Sequence, residues 1–188
     1  MVVFDTSILA IAFDPKAKVP SDPQTGKPVS KCKERIDFLL SGLGKTKQRV
    51  LIPTPVLAEY LVMGGLDKDK RLLEFTNSKV FSIAPFDTRA AVECAEIEDG
   101  AGNSKPLSET ETKAKVKFDR QIIAIAKAAG AKTIFTGDGG LAKCAQKNNL
   151  NVVMTWDLPL PPEPPELPQM DLLYEEAGIF GTTETEQE

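Results

Sequence analysis

Four acidic residues stand where a charge is out of keeping with its neighbours. Asp5 closes the apolar run Val2-Val3-Phe4 and is followed by Thr6 and Ser7. Glu59 is the one charge inside Val56-Leu57-Ala58-Glu59-Tyr60-Leu61-Val62-Met63. Asp119 lies in Phe118-Asp119-Arg120-Gln121-Ile122-Ile123-Ala124-Ile125-Ala126, where Phe118, Ile122 and Ile125 recur at helical spacing. Asp138 sits in Thr136-Gly137-Asp138-Gly139-Gly140, just past the short run Lys132-Thr133-Ile134-Phe135. A carboxylate buried without compensation is costly, and several buried together repel one another unless a cation lies among them. Hard divalent ions such as Mg²⁺ take oxygen ligands and keep several waters beside a few carboxylates. An ion held this way acidifies a bound water and steadies charge on a phosphoryl group in transfer. That is a route to phosphodiester hydrolysis that needs no histidine.

Each acid taken singly also has a plainer role. Asp5 can cap a helix, Asp119 can favour a helix dipole from a first turn, and Asp138 can serve a turn. Glu59 can find a lone Lys or Arg partner. If the four converge, the ion-free site holds like charges close together, and at least one carboxyl is expected to titrate above its ordinary range.

The composition removes the competing chemistries. The 188 residues suit one domain with an ordinary core, and 41% are hydrophobic. There is no histidine, which excludes Ser-His-Asp and Cys-His nucleophilic catalysis and histidine-ligated zinc. Cys32, Cys94 and Cys144 are far apart, with no Cys-x-x-Cys pair, as expected of free thiols in a reducing cytoplasm. Met1 to Phe13 is apolar but lacks the basic start of a signal peptide, and no run is long enough to span a bilayer. Charge is unevenly spread. Asp157 to Glu188 carries nine acids and no base, which leaves 23 bases against 18 acids in the rest, a body of +5 under a chain total of −4. Nine of those bases fall between Pro15 and Val50, against three acids, so a locally basic groove is compatible with an acidic chain.

The acids need elements to carry them. Strands are expected at Val2–Phe4, Arg49–Ile52, Val80–Ala84, Lys132–Phe135 and Asn151–Met154. Helices are expected over Lys31–Leu43, Val56–Met63 (with Thr54 as cap and Pro55 at the first position), Lys68–Asn77, Thr88–Glu98 and the Asp119 run ending at Gly130. Asp14 to Ser30, with four prolines, reads as a long binding loop or lid, and Gly100 to Thr110 as a polar crossing. Strands alternating with helices argue for a parallel α/β sheet, whose ligands gather outside the carboxyl ends of the strands. The domain is placed at 1–156. Residues 157–188 form an acidic, proline-rich tail, with a short helix expected near Met170 to Ala177.

The ordered set Val3-Phe4-Asp5-Thr6-Ser7-Ile8-Leu9, Pro53-Thr54-Pro55-Val56-Leu57-Ala58-Glu59, and the Asp119 helix running into Ile134-Phe135-Thr136-Gly137-Asp138 resembles the PIN domain, especially the VapC-type toxins of toxin–antitoxin pairs. The resemblance spans Met1 to about Thr155. It implies a three-layer α/β/α fold around a central parallel sheet and Mg²⁺- or Mn²⁺-dependent cleavage of RNA. The family's acidic quartet maps onto Asp5, Glu59, Asp119 and Asp138 as metal ligands, and its hydroxyl onto Thr136, with Ser7 and Thr136 orienting carboxylates or water. It also implies an RNA substrate, an antitoxin partner, a homodimer and no membrane. The chain departs from the pattern at Gly139, Gly140 and Leu141, where the family often carries a further acid and an aromatic, and in its long Asp14–Ser30 loop and its tail.

Two other functions fit parts of the sequence. Phe4-Asp5-Thr6-Ser7 and Gly137-Asp138-Gly139 echo a haloacid-dehalogenase-like phosphatase, whose acid–base catalyst would be an Asp at position 7, where this chain has Ser. A PIN-like RNA-binding or scaffold protein with an idle site is the non-enzymatic alternative.

Overall fold

The computed structural model describes residues 1–101 and 112–163. Most of the expected polar crossing, and the tail beyond residue 163 with its expected helix, lie outside the described residues.

Five short strands form one sheet: Val2–Phe4 (β1), Val50–Pro53 (β2), Phe81–Ala84 (β3), Thr133–Thr136 (β4) and Asn151–Met154 (β5). Their order is β3-β2-β1-β4-β5, and every pairing is parallel. The three inner strands are apolar on both faces, as a sheet covered on both sides requires: Val3, Phe4, Ile52 and Ile134 are fully buried. Phe4 and Phe135, register partners on β1 and β4, also meet edge to face at 5.5 Å.

Seven α-helices make the crossovers. They are Thr6–Phe13 (α1), Cys32–Lys45 (α2), Thr54–Gly64 (α3), Lys68–Thr76 (α4), Thr88–Ala101 (α5), Lys113–Ala128 (α6) and Gly139–Lys147 (α7). The chain steps outward from β1 through β2 to β3, returns to β4 on the other side of β1, and steps out again to β5. With right-handed crossovers, that reversal puts α1–α4 on one face and α5–α7 on the other. The result is the three-layer α/β/α arrangement. The reversal also opens a crevice at the carboxyl ends of β1 and β4.

Sequence and structure differ at three informative places. Thr6 to Phe13 is a helix the periodicity did not mark. Six of its eight residues are buried, so it lacks the polar face that gives an amphipathic signal. The Asp119 helix begins at Lys113, capped by Thr112, whose hydroxyl accepts from the Lys115 amide. Asp119 therefore stands in the second turn, not the first, and a helix-dipole role falls away. The good helix formers Lys113-Ala114-Lys115 carry the element upstream of its apolar stripe. The long loop after α1 is not wholly irregular either: Ser21 and Pro28 form an antiparallel bridge closed by Gly26, at φ 67°, and the loop ends at Lys31, also left-handed at φ 49°.

Candidate active site

Each of the four acids is delivered by a different element to one cavity of about 730 Å³ at the carboxyl edge of the sheet. Asp5 comes from the end of β1, Glu59 from α3, Asp119 from α6, and Asp138 from the turn after β4. Ser7, Lys18 and Lys115 line the same space, with an apolar wall that includes Val62, Met63 and Phe118.

Asp5 is the floor of this cavity and only 6% exposed. It caps α1, but its partners go beyond a cap. Ser7 Oγ donates to Asp5 Oδ2 at 2.9 Å, and Thr136 Oγ1 donates to the same oxygen. The direction of both bonds is fixed by a second link. The Gly137 amide donates to Ser7 Oγ at 2.9 Å, and the Asp138 amide to Thr136 Oγ1 at 2.9 Å. With their lone pairs serving amides, both hydroxyls point their protons at Asp5. Its other oxygen, Oδ1, receives only the Ser7 amide at 3.4 Å. Burial pushes the Asp5 carboxyl above its ordinary range; the Thr136 and Ser7 hydroxyls oppose that shift, and the Asp138 charge adds to it.

Asp138 is held in the opposite sense. Its Oδ1 caps α7 through the amides of Gly140 at 2.7 Å and Leu141 at 3.2 Å, and its Oδ2 meets Lys115 Nζ at 2.6 Å. Burial alone would raise this carboxyl, but Lys115 and the two amides outweigh it and hold Asp138 below its ordinary range. Two acids of one site are thus pushed apart, the pattern by which environments divide roles between paired carboxyls.

Glu59 and Asp119 are less enclosed. Glu59 is exposed on α3, where Thr6 Oγ1 donates to its Oε2 at 2.6 Å. Asp119 is half-buried. The expectation of four buried acids therefore holds for Asp5 alone; the others reach the cavity from its rim. Among the described residues no three acidic or thiol side chains are close enough to share one ion. The donors facing the cavity are carboxylates and hydroxyls, which suit a hard divalent ion that keeps much of its water. Asp5 Oδ1, aimed at the cavity's buried floor with only one long amide contact, is the clearest single feature in its favour.

Three participants escaped the sequence reading. Thr6, which orients Glu59, was weighed only as a neighbour of Asp5. Lys115 lies one turn before Asp119, so the i, i+4 spacing carried a signal. Gly137 has no left-handed backbone requirement, yet a Cβ there would lie 3.1 Å from Thr155 Oγ1 and 3.2 Å from Ser7 Oγ. Glycine is what lets the β4 turn approach Ser7.

No known family's sequence profile matches this chain, and no curated protein sequence matches it. The fold, however, is shared with solved structures. One is VapBC2 from Rickettsia felis bound to a DNA fragment from its promoter, with TM-score 0.53 and 19% identity, covering 82% of this chain and 98% of that one. Another is DNA-bound VapBC from Salmonella typhimurium, with TM-score 0.51 and 16% identity, covering 82% and 97%. At these identities the likeness establishes the fold that the motif order implied.

Proposed function

We propose that this chain, built on the fold of VapC-type PIN-domain toxins, is a Mg²⁺- or Mn²⁺-dependent endoribonuclease. The observation that carries the reading is the convergence of Asp5, Glu59, Asp119 and Asp138 on one cavity at the crevice between β1 and β4. Asp5 and Asp119 would be the principal ligands of the ion, with Glu59 and Asp138 completing the set. When bound, the ion would activate water and neutralise charge on the phosphoryl group.

The chain's own residues prepare that chemistry. Ser7 and Thr136 fix the Asp5 carboxylate through Oδ2 and so leave Oδ1 to face the cavity. Thr6 does the same for Glu59 from the opposite wall. Lys115 and Lys18 place positive charge at the rim, where a phosphate backbone would lie. The apolar wall of Val62, Met63 and Phe118 offers unstacked bases a surface that a paired duplex could not use.

The VapBC neighbours are toxin–antitoxin complexes, which supports an antitoxin protein as partner here; a small adjacent gene for a DNA-binding antitoxin is the corresponding expectation. The phosphatase alternative gains nothing from the site. Its second acid would stand at position 7, where Ser7 instead donates a proton to Asp5. The deciding experiment incubates the full chain with single-stranded RNA and Mg²⁺ or Mn²⁺, with and without excess EDTA, beside Asp119→Asn. Cleavage that needs the ion and is lost in Asp119→Asn with an unchanged melting curve is expected. Cleavage that persists in EDTA or in the variant overturns the reading.

A further inference from the structure

Asp138 was assigned above to the ion's ligand set, yet both of its oxygens are already engaged. Oδ1 holds the amides of Gly140 and Leu141, which α7 fixes in place, and Oδ2 holds Lys115 Nζ at 2.6 Å. An ion that is to reach Asp138 has one partner it can move, the lysine. The pair is suited to exchange: the two side chains are 41% and 30% exposed, so neither charge is stranded by separation. Partly exposed pairs of this kind are worth little, about 1 kcal/mol or less. A lysine is also a compact point charge on a flexible stem, which can be re-aimed without moving its helix.

We propose that Lys115 is an internal competitor for the site: it holds Asp138 Oδ2 until a divalent cation takes its place, and the displaced ammonium then serves as a contact for the substrate phosphate. Three placements support this. Lys115 and Asp119 stand one turn apart on α6, and both line the cavity, so a re-aimed Lys115 stays inside the site. The cavity already receives a second cation, Lys18, from the loop after α1, so a phosphate entering there would meet positive charge from two sides. And the acid that Lys115 holds is the one whose position on β4 faces Asp5 across the crevice. The exchange keeps charge balanced: one cation leaves Asp138 as another arrives, and the freed cation meets the incoming polyanion. The phosphate half rests on the ribonuclease reading; the competition half does not.

The test is Mn²⁺ binding to the full chain without RNA, by calorimetry at constant ionic strength, for the wild type, Lys115→Met, Lys115→Arg and Lys117→Met. Lys117 is exposed and two positions away, off the cavity face, and controls for the loss of one positive charge in general. Lys115→Met is expected to bind Mn²⁺ about two- to fivefold more tightly, the range a partly exposed pair allows. Lys115→Arg should stay near the wild type, and Lys117→Met should gain less than Lys115→Met. Lys115→Gln repeats the measurement if the Met variant fails to fold. Equal gains for positions 115 and 117, or no Mn²⁺ binding to the wild type, overturn the competition. For the phosphate half, Lys115→Met should raise KM for RNA more than it changes kcat and lower the slope of log affinity against log salt by about 1. An unchanged KM and slope overturn that half alone. Mn²⁺ competition without any RNA cleavage would instead overturn the ribonuclease reading and leave the competition standing.

Discussion

Thr136 is fully buried and links the two central acids, donating to Asp5 Oδ2 and accepting from the Asp138 amide. Thr136→Val keeps its shape and removes only the hydroxyl. A hydrogen bond to a charged group contributes roughly 1.5–3 kcal/mol, and an amide left without an acceptor adds to the loss. We therefore expect the variant to be destabilised by about 3 kcal/mol at pH 7 in EDTA, a fall in Tm of about 6–12 °C for a domain of this size. The pH dependence separates this from simple misfit. The Asp5 carboxyl is raised in the folded protein above its ordinary 3.8, so its favourable contribution is complete below that value and is lost as pH rises through the folded pKa. Removing the Thr136 donor raises the folded pKa further, so the deficit of Thr136→Val should grow from about pH 4 upwards. Thr136→Ser keeps the donor while losing a methyl, and its deficit should stay flat with pH. Differential scanning calorimetry from pH 4 to 8 reads both. If the Val deficit is as flat as the Ser deficit, the hydroxyl does not carry the Asp5 charge.

Gly137→Ala would force a Cβ to within 3.1–3.2 Å of Thr155 Oγ1 and Ser7 Oγ; it should displace Ser7 and cut cleavage at least tenfold while lowering Tm by only a few degrees, and full activity would mean that Ser7 does not orient Asp5. Asp138→Asn can still cap α7 but loses the Lys115 pair, so it should melt slightly lower than the wild type in EDTA at pH 7, by less than about 1 kcal/mol. Because Asp138 titrates below its ordinary 3.8, the stability at issue is present above that value and disappears as pH falls through the folded pKa, so the two melting curves should converge in acid; a gap that widens below pH 4 contradicts this. A chain ending at Glu163 drops seven acidic residues. It should bind RNA more tightly than the full chain at low salt, with the advantage shrinking as salt rises; equal affinity at low salt leaves the tail a solubilising role only. The cut belongs after Glu163 and not at Trp156, because Leu158 is buried and its carbonyl is held by Arg35.

The four acids were legible because each broke a local pattern: an acid ending an apolar strand, a charge in an apolar helix, an aspartate after a strand. The parallel sheet was legible from alternation, and β5 fell at Asn151–Met154 as expected. What stayed hidden was of two kinds. Helix α1 is buried nearly all round and has no amphipathic period to betray it. The links Ser7–Gly137 and Thr136–Asp5 join residues 130 and 131 positions apart, and nothing in local sequence encodes such pairings. Like-charge repulsion, expected to dominate the site, is secondary to burial at Asp5 and is reversed by Lys115 at Asp138.

The central place of β1 has a consequence for how the protein is made. Chains emerge from the ribosome amino end first, at about 5–20 residues per second. The strand carrying Asp5 is therefore among the first residues synthesised, yet it needs β2 on one side and β4 on the other. Until Thr136 emerges, 131 positions later, Asp5 lacks both the strand that encloses it and a hydroxyl that orients it. A nascent chain thus carries an unassembled site for most of its synthesis, next to the ribosome's own RNA. Stalled chains with Phe135 as their last exposed residue should not cleave RNA, and chains exposed through Leu158 should. Activity is coupled to completion of the sheet by strand order alone, with no separate inhibitor required during translation.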